Sequence, residues 1–524
     1  MSTKKICIIS VVAAAALTGV SSFADTTASS ATTATSSASS AVVDSSAVTT
    51  TTTTTKSTKH HHKTKKSTKT SDDARYRQLE QQVTALQDQV NHMQKIQKGF
   101  LGGKGYIAHG PAIVSSPYTN YEYGADFGGS DLLINLPSIN KDVALLGIRK
   151  NIYNRYCQMG ICGGPDRPVV AMSGKVEMQA HDMRDFDKHN ESDLNLSAVE
   201  LEAVAEVNPW ITALMKMKFV PDNNDQELGS TVDNNKLQIS EAFITIGNLD
   251  KSPIYASMGQ MYVPFTFDNN LMVTDTLVKT IGKTKAQPLI LGFTDVYGVY
   301  GSIYTFKGDS YESNPDMINQ FGVDLGYKHV TNKSYLDVGA GYINNMADSE
   351  GMQSTPGSDI NTFNGFGDNY KLKERVHGID GHFLLGLGEK PKWSMYNPWT
   401  FIAEYVGATN SFDQEDLSFN GNGAKPQAVD AQVAYNFLVL DKPSFVAVGA
   451  DHSWDSLALN LPEQSYFLAV GSNIFKDTLT RLEYRHDINY DSGDTASGNS
   501  EDNAVFSPDG DHRDTITADF EVFF

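Results

Sequence analysis

Lysine, arginine and glutamate side chains recur at every second position in several segments of this 524-residue chain, a spacing that could build a ligand-binding wall. Residues i and i+2 of a β-strand face the same side, so these charges would share one face of a sheet. Basic side chains bind anionic carboxylates or phosphates, whereas carboxylates attract cations. The candidate ligand residues are Lys175, Lys216, Lys218, Lys328, Arg481 and Arg485, mixed with acidic residues that include Glu200, Glu202 and Glu206. Because both signs are present, the wall could carry a ligand or could simply be hydrated.

The motifs of common hydrolases are absent from the sequence. It contains neither a Gly-x-Ser-x-Gly nucleophile elbow nor a His-Glu-x-x-His zinc motif. Gly282-Lys283-Thr284 is similar to the end of a phosphate-binding loop, but Leu277 occupies the position of the first glycine that such a loop requires. We therefore predict that the protein is not an enzyme and that it uses no cofactor.

The segments that carry these charges alternate between apolar and polar residues, as strands do when one face is apolar and the other is wet. Residues 199–207 and 211–219 both show the alternation, and the turn Asn208-Pro209-Trp210 joins them into a hairpin. Similar segments follow, with 254–265 and 296–306 predicted as consecutive strands. With an early strand within residues 131–136 the total is sixteen, an even number as in single-chain bacterial barrels. The predicted fold class is an all-β, antiparallel outer-membrane β-barrel over residues 169–524.

The last eleven residues resemble the closing strand of such a barrel. Phe520, Val522 and Phe524 are apolar at every second position, and they alternate with Glu521 and other residues. About ten residues suffice for a tilted strand to cross a bilayer. We therefore predict that Phe520, Val522 and Phe524 form the signal for insertion into the outer membrane.

The N-terminal part predicts export and a tether. Residues 1–24 combine Lys4 and Lys5, an apolar run and a small-residue site, so a signal peptide should be cleaved after Ala24. Residues 25–70 are mostly Ser and Thr, then Lys and His, and they predict a disordered linker. Its three consecutive histidines could bind a metal ion, or the basic stretch could lie against the cell wall. In residues 71–98, heptad spacing predicts a short periplasmic coiled coil that could join three copies, or that could pack against the barrel instead.

Residues 99–168 form a Gly-rich segment that holds the predicted early strand and a cysteine pair. Cys157 and Cys162 are close in sequence, so an exported chain would most often join them in a disulfide. A metal site would need further ligands, and no His or additional Cys flanks the pair. The segment is too short for a globular plug, although part of it could fold into the lumen.

The formal net charge of −20 argues against a nucleic-acid partner and suits soluble loops. No stretch after the signal approaches about eighteen uninterrupted apolar residues, so insertion as a transmembrane helix is excluded. The sequence therefore predicts a protein of the Gram-negative outer membrane, in contact with its lipid, with a periplasmic N-terminal region.

The order of these parts resembles the LbtU/FslE-type siderophore porins. The resemblance depends on Leu132-Leu133-Ile134-Asn135, on Ile139-Asn140-Lys141-Asp142, and on the coiled coil that precedes a barrel ending in Phe. A weaker similarity, in residues 259–265, is to phosphate-selective porins, which have a coiled coil before a sixteen-stranded barrel. The first resemblance implies iron uptake without a plug domain, either of a ferric polycarboxylate siderophore or of the free ion.

The charges do not choose between these ligands. A ferric polycarboxylate is anionic and would need the inward lysines and arginines, whereas inward carboxylates would suit ferrous or other cations. Uptake of a ferric siderophore is the main prediction. A general or phosphate-type diffusion porin is the first alternative, and a structural tether between outer membrane and cell wall is the second.

Overall fold

The computed structural model describes residues 139–147, 149, 169–221, 235–267, 270–312, 316–331, 333–354, 363, 365–367, 370–389, 391, 397–475, 478–498, 504–506 and 512–523. The predictions for the signal peptide and Ala24, the linker, the coiled coil, the early strand in 131–136, the pair Cys157 and Cys162, and Phe524 lie outside these residues.

Strands make up most of the described chain, and sixteen of them form one closed antiparallel sheet in which β21 pairs with β1. This confirms the predicted fold class. The strands are β1 (Val169–Arg184), β2 (Asn190–Asn208), β3 (Ile211–Pro221), β4 (Asn235–Gly247), β5 (Ile254–Tyr262), β6 (Lys285–Ala286), β7 (Leu289–Val296), β8 (Val299–Phe306), β9 (Gln320–Val330), β10 (Ser334–Ile343), β11 (Gly378–Leu387), β12 (Trp399–Ala408), β13 (Leu417–Phe419), β14 (Asn422–Gly423), β15 (Gln427–Val439), β16 (Lys442–Trp454), β17 (Gln464–Ser472), β18 (Thr478–Ile488), β19 (Thr495–Gly498), β20 (Ala504–Phe506) and β21 (His512–Phe523). The two-residue β6 pairs with the last two residues of β5 and precedes β7, which pairs with the rest of β5, so β6 is not counted as a separate barrel strand. β13, β14, β19 and β20 form a separate small sheet.

The helical parts of the described chain are short. They are α1 (residues 141–147), α2 (Leu277–Gly282) and α3 (Glu350–Gln353), with single 3₁₀ turns at Met346–Asp348 and Leu457–Leu459. Within the described ranges, none of the helices has the length and apolar character required to cross a membrane.

The alternation in each strand sorts its side chains between an outer and an inner face. In β21, Phe520 and Val522 are 39% and 38% exposed on the outside, while Asp519 and Glu521, which alternate with them, are buried inside. In β9, Phe321, Val323 and Leu325 are exposed and Asp324 between them is buried. An apolar outer face and a polar interior are what a bilayer-spanning barrel requires.

The predicted number of strands is confirmed, but one member of the predicted set is different. The sequence count omitted β7, which pairs with β5 on one side and β8 on the other. Tyr297 and Gly298 join β7 to β8 with φ of 55° and 84°, the positive values that a tight I′ hairpin needs. The described strands close the barrel without residues 131–136, which the count had included.

The two ends of the barrel differ. At one end, tight connections such as 297–298 and 440–441 join the strands, and β1 begins and β21 ends there. We call it the short-turn end. At the opposite, long-loop end, most connections are longer, and those at 409–426 and 489–511 contribute the strands of the small sheet.

Candidate functional site

Residues 139–147 and 149, which we call the inner segment, lie inside the barrel, where Lys141 anchors them to the wall. The side chain of Lys141 is 1% exposed, and its Nζ lies 3.0 Å from Glu202 Oε1 and 2.8 Å from Glu241 Oε1. Burial by itself would lower the pKa of Lys141, but the two carboxylates outweigh it and hold the pKa above its ordinary value. The sequence interpretation that part of the Gly-rich segment folds into the lumen therefore holds for these residues.

Packing and hydrogen bonds fix the rest of this segment. Asp142 Oδ1 accepts a hydrogen bond from the amide of Val143 at 2.9 Å in the first turn of α1. Leu145 and Leu146 are buried in the core of the barrel. At the short-turn end, Arg149 donates hydrogen bonds to Thr212 Oγ1 and to the carbonyl of Pro209. The segment thus narrows the lumen along β2 to β5.

The connection between β5 and β6, residues 263–284, folds inward, and we call it the inner loop. Its backbone amides bind acceptors on distant strands: Leu271 N donates to Gln432 Oε1 at 2.7 Å and Leu277 N to Asp451 Oδ2 at 2.9 Å. The amides of Val273 and Thr274 both donate to Glu483 Oε2, and Thr274 Oγ1 donates to Glu483 Oε1 at 2.5 Å. The inner loop therefore reaches β15, β16 and β18 across the lumen.

Further contacts hold the inner loop at β11 and β12. The ring of Phe267 stacks on that of His382, with centroids 3.7 Å apart and planes 7° apart. A Cβ on Gly282 would lie 2.0 Å from Thr266 Cγ2 and 2.9 Å from Val406 Cγ2, so only glycine allows this approach. Gly282-Lys283-Thr284 is thus the end of α2 and a packing feature.

The structure places the predicted basic ligand residues on the inner face, where carboxylates neighbour them. Lys175 lies 2.8 Å from Glu177, and Lys216 lies 2.9 Å from Glu200 and 3.4 Å from Glu202. Arg481 lies 2.9 Å from Asp519 and also binds Glu521, and Arg485 lies 2.7 Å from Asp487. Lys328 lies 3.8 Å from Asp337, and Lys218 is in register with Glu200. Glu206 lies in β2 opposite Thr212, and its side chain is outside the described part of the structure.

Carboxylates outnumber basic groups on the inner wall. The buried ones are Glu177, Glu200, Glu202, Glu241, Asp324, Asp337, Asp380, Glu404, Asp430, Asp451, Glu483, Asp487, Asp519 and Glu521. Asp430 and Asp451 face each other in register, Glu404 is opposite Asp430, and one oxygen each of Asp430 and Asp451 has no hydrogen-bond partner. Such a wall attracts cations and repels anions.

Three of these carboxylates, Glu177, Asp519 and Glu521, have oxygens within 4.8 Å of one another, the spacing of a metal site. Arg481 already binds Asp519 and Glu521, so a cation of the chain itself occupies this position. We interpret the group as part of the ion-pair network along the seam between β1 and β21.

Sequence reasoning missed the inner loop, and the signals for it were weak. Pro264 ends the strand pattern, because proline lacks the amide that a ladder needs. Thr276 is a helix N-cap whose side chain accepts from Lys279 N at 3.2 Å, and Leu277 and Ile281 have helical spacing. These features predict a turn of helix, but not that it crosses the lumen.

A closed sixteen-stranded barrel with an apolar outside and a charged, narrowed inside defines the class: this is a porin-like β-barrel of the outer membrane. The chain belongs to the UPF0422 family. It is 34% identical over 429 residues to a UPF0422 protein of Legionella pneumophila (strain Lens), a match that covers 80% of this chain and 78% of the relative. It is 30% identical over 463 residues to a UPF0422 protein of Coxiella burnetii (strain RSA 493 / Nine Mile phase I), covering 86% of this chain and 94% of the relative. No family model matches the chain.

Among solved structures, the chain is similar to an anion-selective porin from Comamonas acidovorans, with a TM-score of 0.45 and 7% identity over 68% of this chain and 100% of the porin. It is also similar to the outer membrane channel DcaP of Acinetobacter baumannii, with a TM-score of 0.42 and 14% identity over 68% of this chain and 98% of the channel. At this level of similarity, what passes through those channels says nothing about this one.

Proposed function

We propose that the protein is an outer-membrane channel for small hydrophilic solutes and that it prefers cations. The observation that carries the proposal is the inner wall, where the basic residues neighbour carboxylates and further carboxylates remain. A channel whose fixed wall charge is negative concentrates cations and excludes anions. This function is that of a diffusion porin, the first alternative predicted from the sequence, with a preference for cations.

Ion selectivity in planar bilayers tests this proposal. Under a KCl gradient, we expect a reversal potential of the sign that potassium permeation produces. Replacing Asp430 and Asp451 by Asn should reduce the ratio of potassium to chloride permeability by about twofold or more, because the negative charge that this facing pair holds on the wall is removed. Asp441→Asn is the matched control, since Asp441 is exposed in the turn between β15 and β16. A reversal potential of the chloride sign would overturn the proposal.

Iron uptake is the second candidate function, and the resemblance to siderophore porins supports it. Lys175, Lys216 and Lys218 on β1 and β3 lie close to Glu200 and offer donors to a ferric polycarboxylate. Ferrous ion would instead use the inner carboxylates, which agrees better with the excess of negative charge.

Uptake of radioactive iron separates these forms. Cells that lack the protein would receive iron in one arm as a ferric polycarboxylate siderophore and in the other as ferrous ion. We expect a defect in the ferrous arm, because the wall attracts cations. A defect confined to the siderophore arm would support the lysines instead, and normal uptake in both arms would exclude an iron function.

The arrangement of the whole chain also remains a proposal. We place the short-turn end in the periplasm. We also propose that residues 71–98 form a periplasmic coiled coil and that residues 25–70 form a linker that could tether the barrel to the cell wall.

The distribution of exposed side chains on the outer face of the barrel supports a homotrimer. Among described residues, the exposed large side chains on β1, β2, β4 and β5 are aliphatic: Met178, Leu194, Val207, Leu237, Ile239, Ile244, Ile246, Ile254 and Met258. The aromatic residues Trp399, Tyr435 and Trp454 are on the opposite side, on β12, β15 and β16, where a lipid-facing girdle belongs.

A further inference from the structure

A cavity of about 250 Å³ lies inside the barrel towards the short-turn end. Asn140 and Val143 of the inner segment form one side, and the opposite side is the wall of β5 and β8 to β10, with Tyr255, Tyr300 and Asp324. Pockets for drug-sized ligands measure roughly 300–1,000 Å³, so this cavity suits a smaller molecule or a single head group.

Glycines in the wall make room for the tyrosine rings of the cavity. A Cβ on Gly326 would lie 2.3 Å from the hydroxyl oxygen of Tyr300, and a Cβ on Gly292 would lie 2.6 Å from that of Tyr255. The rings therefore lie flat against the neighbouring strands. The hydroxyl of Tyr300 donates to Asp337 Oδ1 at 2.9 Å, which fixes the position of this ring.

Asp324 and Asp337 are the two carboxylates that line the cavity. The side chain of Asp324 is inward, the residue is 7% exposed, and its carboxylate accepts a hydrogen bond from the backbone amide of Leu325, but among the described residues it makes no ion pair. The charged groups that act on it are Asp337 and Asp380, which are also carboxylates. Asp337 differs, because Lys328, which also lines the cavity, lies 3.8 Å from it, and Tyr335 donates a hydrogen bond to it at 3.0 Å. A buried carboxylate without an ion-pair partner is costly, and a bound cation would compensate it.

We propose that this cavity binds a small organic cation with an ammonium group. Aromatic rings beside a buried carboxylate are the usual environment for quaternary ammonium groups, because the ring faces carry negative charge. A metal ion fits less well, since in the part of the chain that the structure describes the three-carboxylate group at ligand spacing lies elsewhere, at Glu177, Asp519 and Glu521. The site is independent of the ion selectivity proposed above, because it depends on one cavity and not on the charge of the whole wall.

Binding of choline to the full-length protein in detergent tests the proposal, with isothermal titration calorimetry as the measurement. The matched ligand is the neutral carbon isostere of choline, in which a tert-butyl group replaces the trimethylammonium group. We expect choline to bind at least about tenfold more tightly than this isostere, because only choline is attracted by Asp324 and the rings.

Variants locate the site. Asp324→Asn should weaken choline binding by about tenfold or more, while the exposed Asp441→Asn should leave it unchanged. Tyr300→Phe keeps the ring and should keep most of the affinity, whereas Tyr300→Leu should lose it, with circular dichroism to verify that each barrel folds. Equal binding of choline and its isostere, equal binding by Asp324→Asn, or no saturable binding would overturn the proposal.

Discussion

Replacing Lys141 by Met is expected to lower the free energy of unfolding of the barrel by about 3 kcal/mol or more. The substitution keeps most of the side-chain volume but leaves Glu202 and Glu241, 0% and 1% exposed, without the cation that lies between them. Each of these glutamates already has one oxygen without a hydrogen-bond partner, so loss of the lysine would leave each carboxylate with still fewer stabilising contacts. Lys216, 3.4 Å from Glu202, would compensate only in part.

Denaturant unfolding of the protein in lipid vesicles, followed by tryptophan fluorescence, measures this loss. The control is Lys442→Met, which removes an exposed lysine at the start of β16 and should change stability by less than about 0.5 kcal/mol. Adding Glu241→Gln to Lys141→Met should restore part of the stability, because one uncompensated charge disappears. If Lys141→Met and Lys442→Met unfold alike, the ion pairs of Lys141 do not anchor the inner segment.

The largest functional effect is expected from removing the inner loop. Replacing residues 270–282 by a short Gly-Ser linker deletes α2 and the contacts with β15, β16 and β18. Because the loop crosses the lumen, its removal should widen the narrowest part of the channel. We expect single-channel conductance to rise by about twofold or more.

A point variant makes the same test without shortening the chain. Glu483→Ala removes the acceptor of Val273 and Thr274, so the inner loop should become mobile and the open-channel current noisier. Glu415→Ala is the matched control, because Glu415 is an exposed glutamate in the connection between β12 and β15. Unchanged conductance in the deletion and in Glu483→Ala would show that the inner loop does not limit the passage.

The two predictions concern different halves of the interior. Lys141 fixes residues 139–149 against β2 to β5, whereas the inner loop contacts β11 to β18. Loss of stability without a change in conductance for Lys141→Met, and a rise in conductance for the loop deletion, would assign a structural role to the first element and a role in narrowing the lumen to the second.

Most of the barrel could be predicted because the signal for it is local. The alternation of apolar and polar residues fixes which side chains of a strand share a face. The structure shows this two-residue period in β9 and β21, where a buried aspartate lies between exposed apolar residues. Where the signal was weaker the prediction failed, as for β7, which was omitted although Leu289, Leu291 and Phe293 alternate.

The interior could not be predicted in the same way, because its contacts join residues far apart in the chain. Lys141 and Glu241 are 100 positions apart, and Leu277 and Asp451 are 174 positions apart. Whether a charge faces a partner or an empty cavity depends on strand register and on which loop folds inward, and neither follows from a two-residue period.

The sequence by itself therefore determined the class of fold and the inward direction of Lys175, Lys216, Arg481 and Arg485, since local alternation carries that information. Only the tertiary structure decided that these basic groups neighbour carboxylates and that, among the described residues, Asp324 makes no ion pair. The physical reason is that electrostatic interactions depend on distances of a few ångströms between side chains, and closure of the barrel sets those distances.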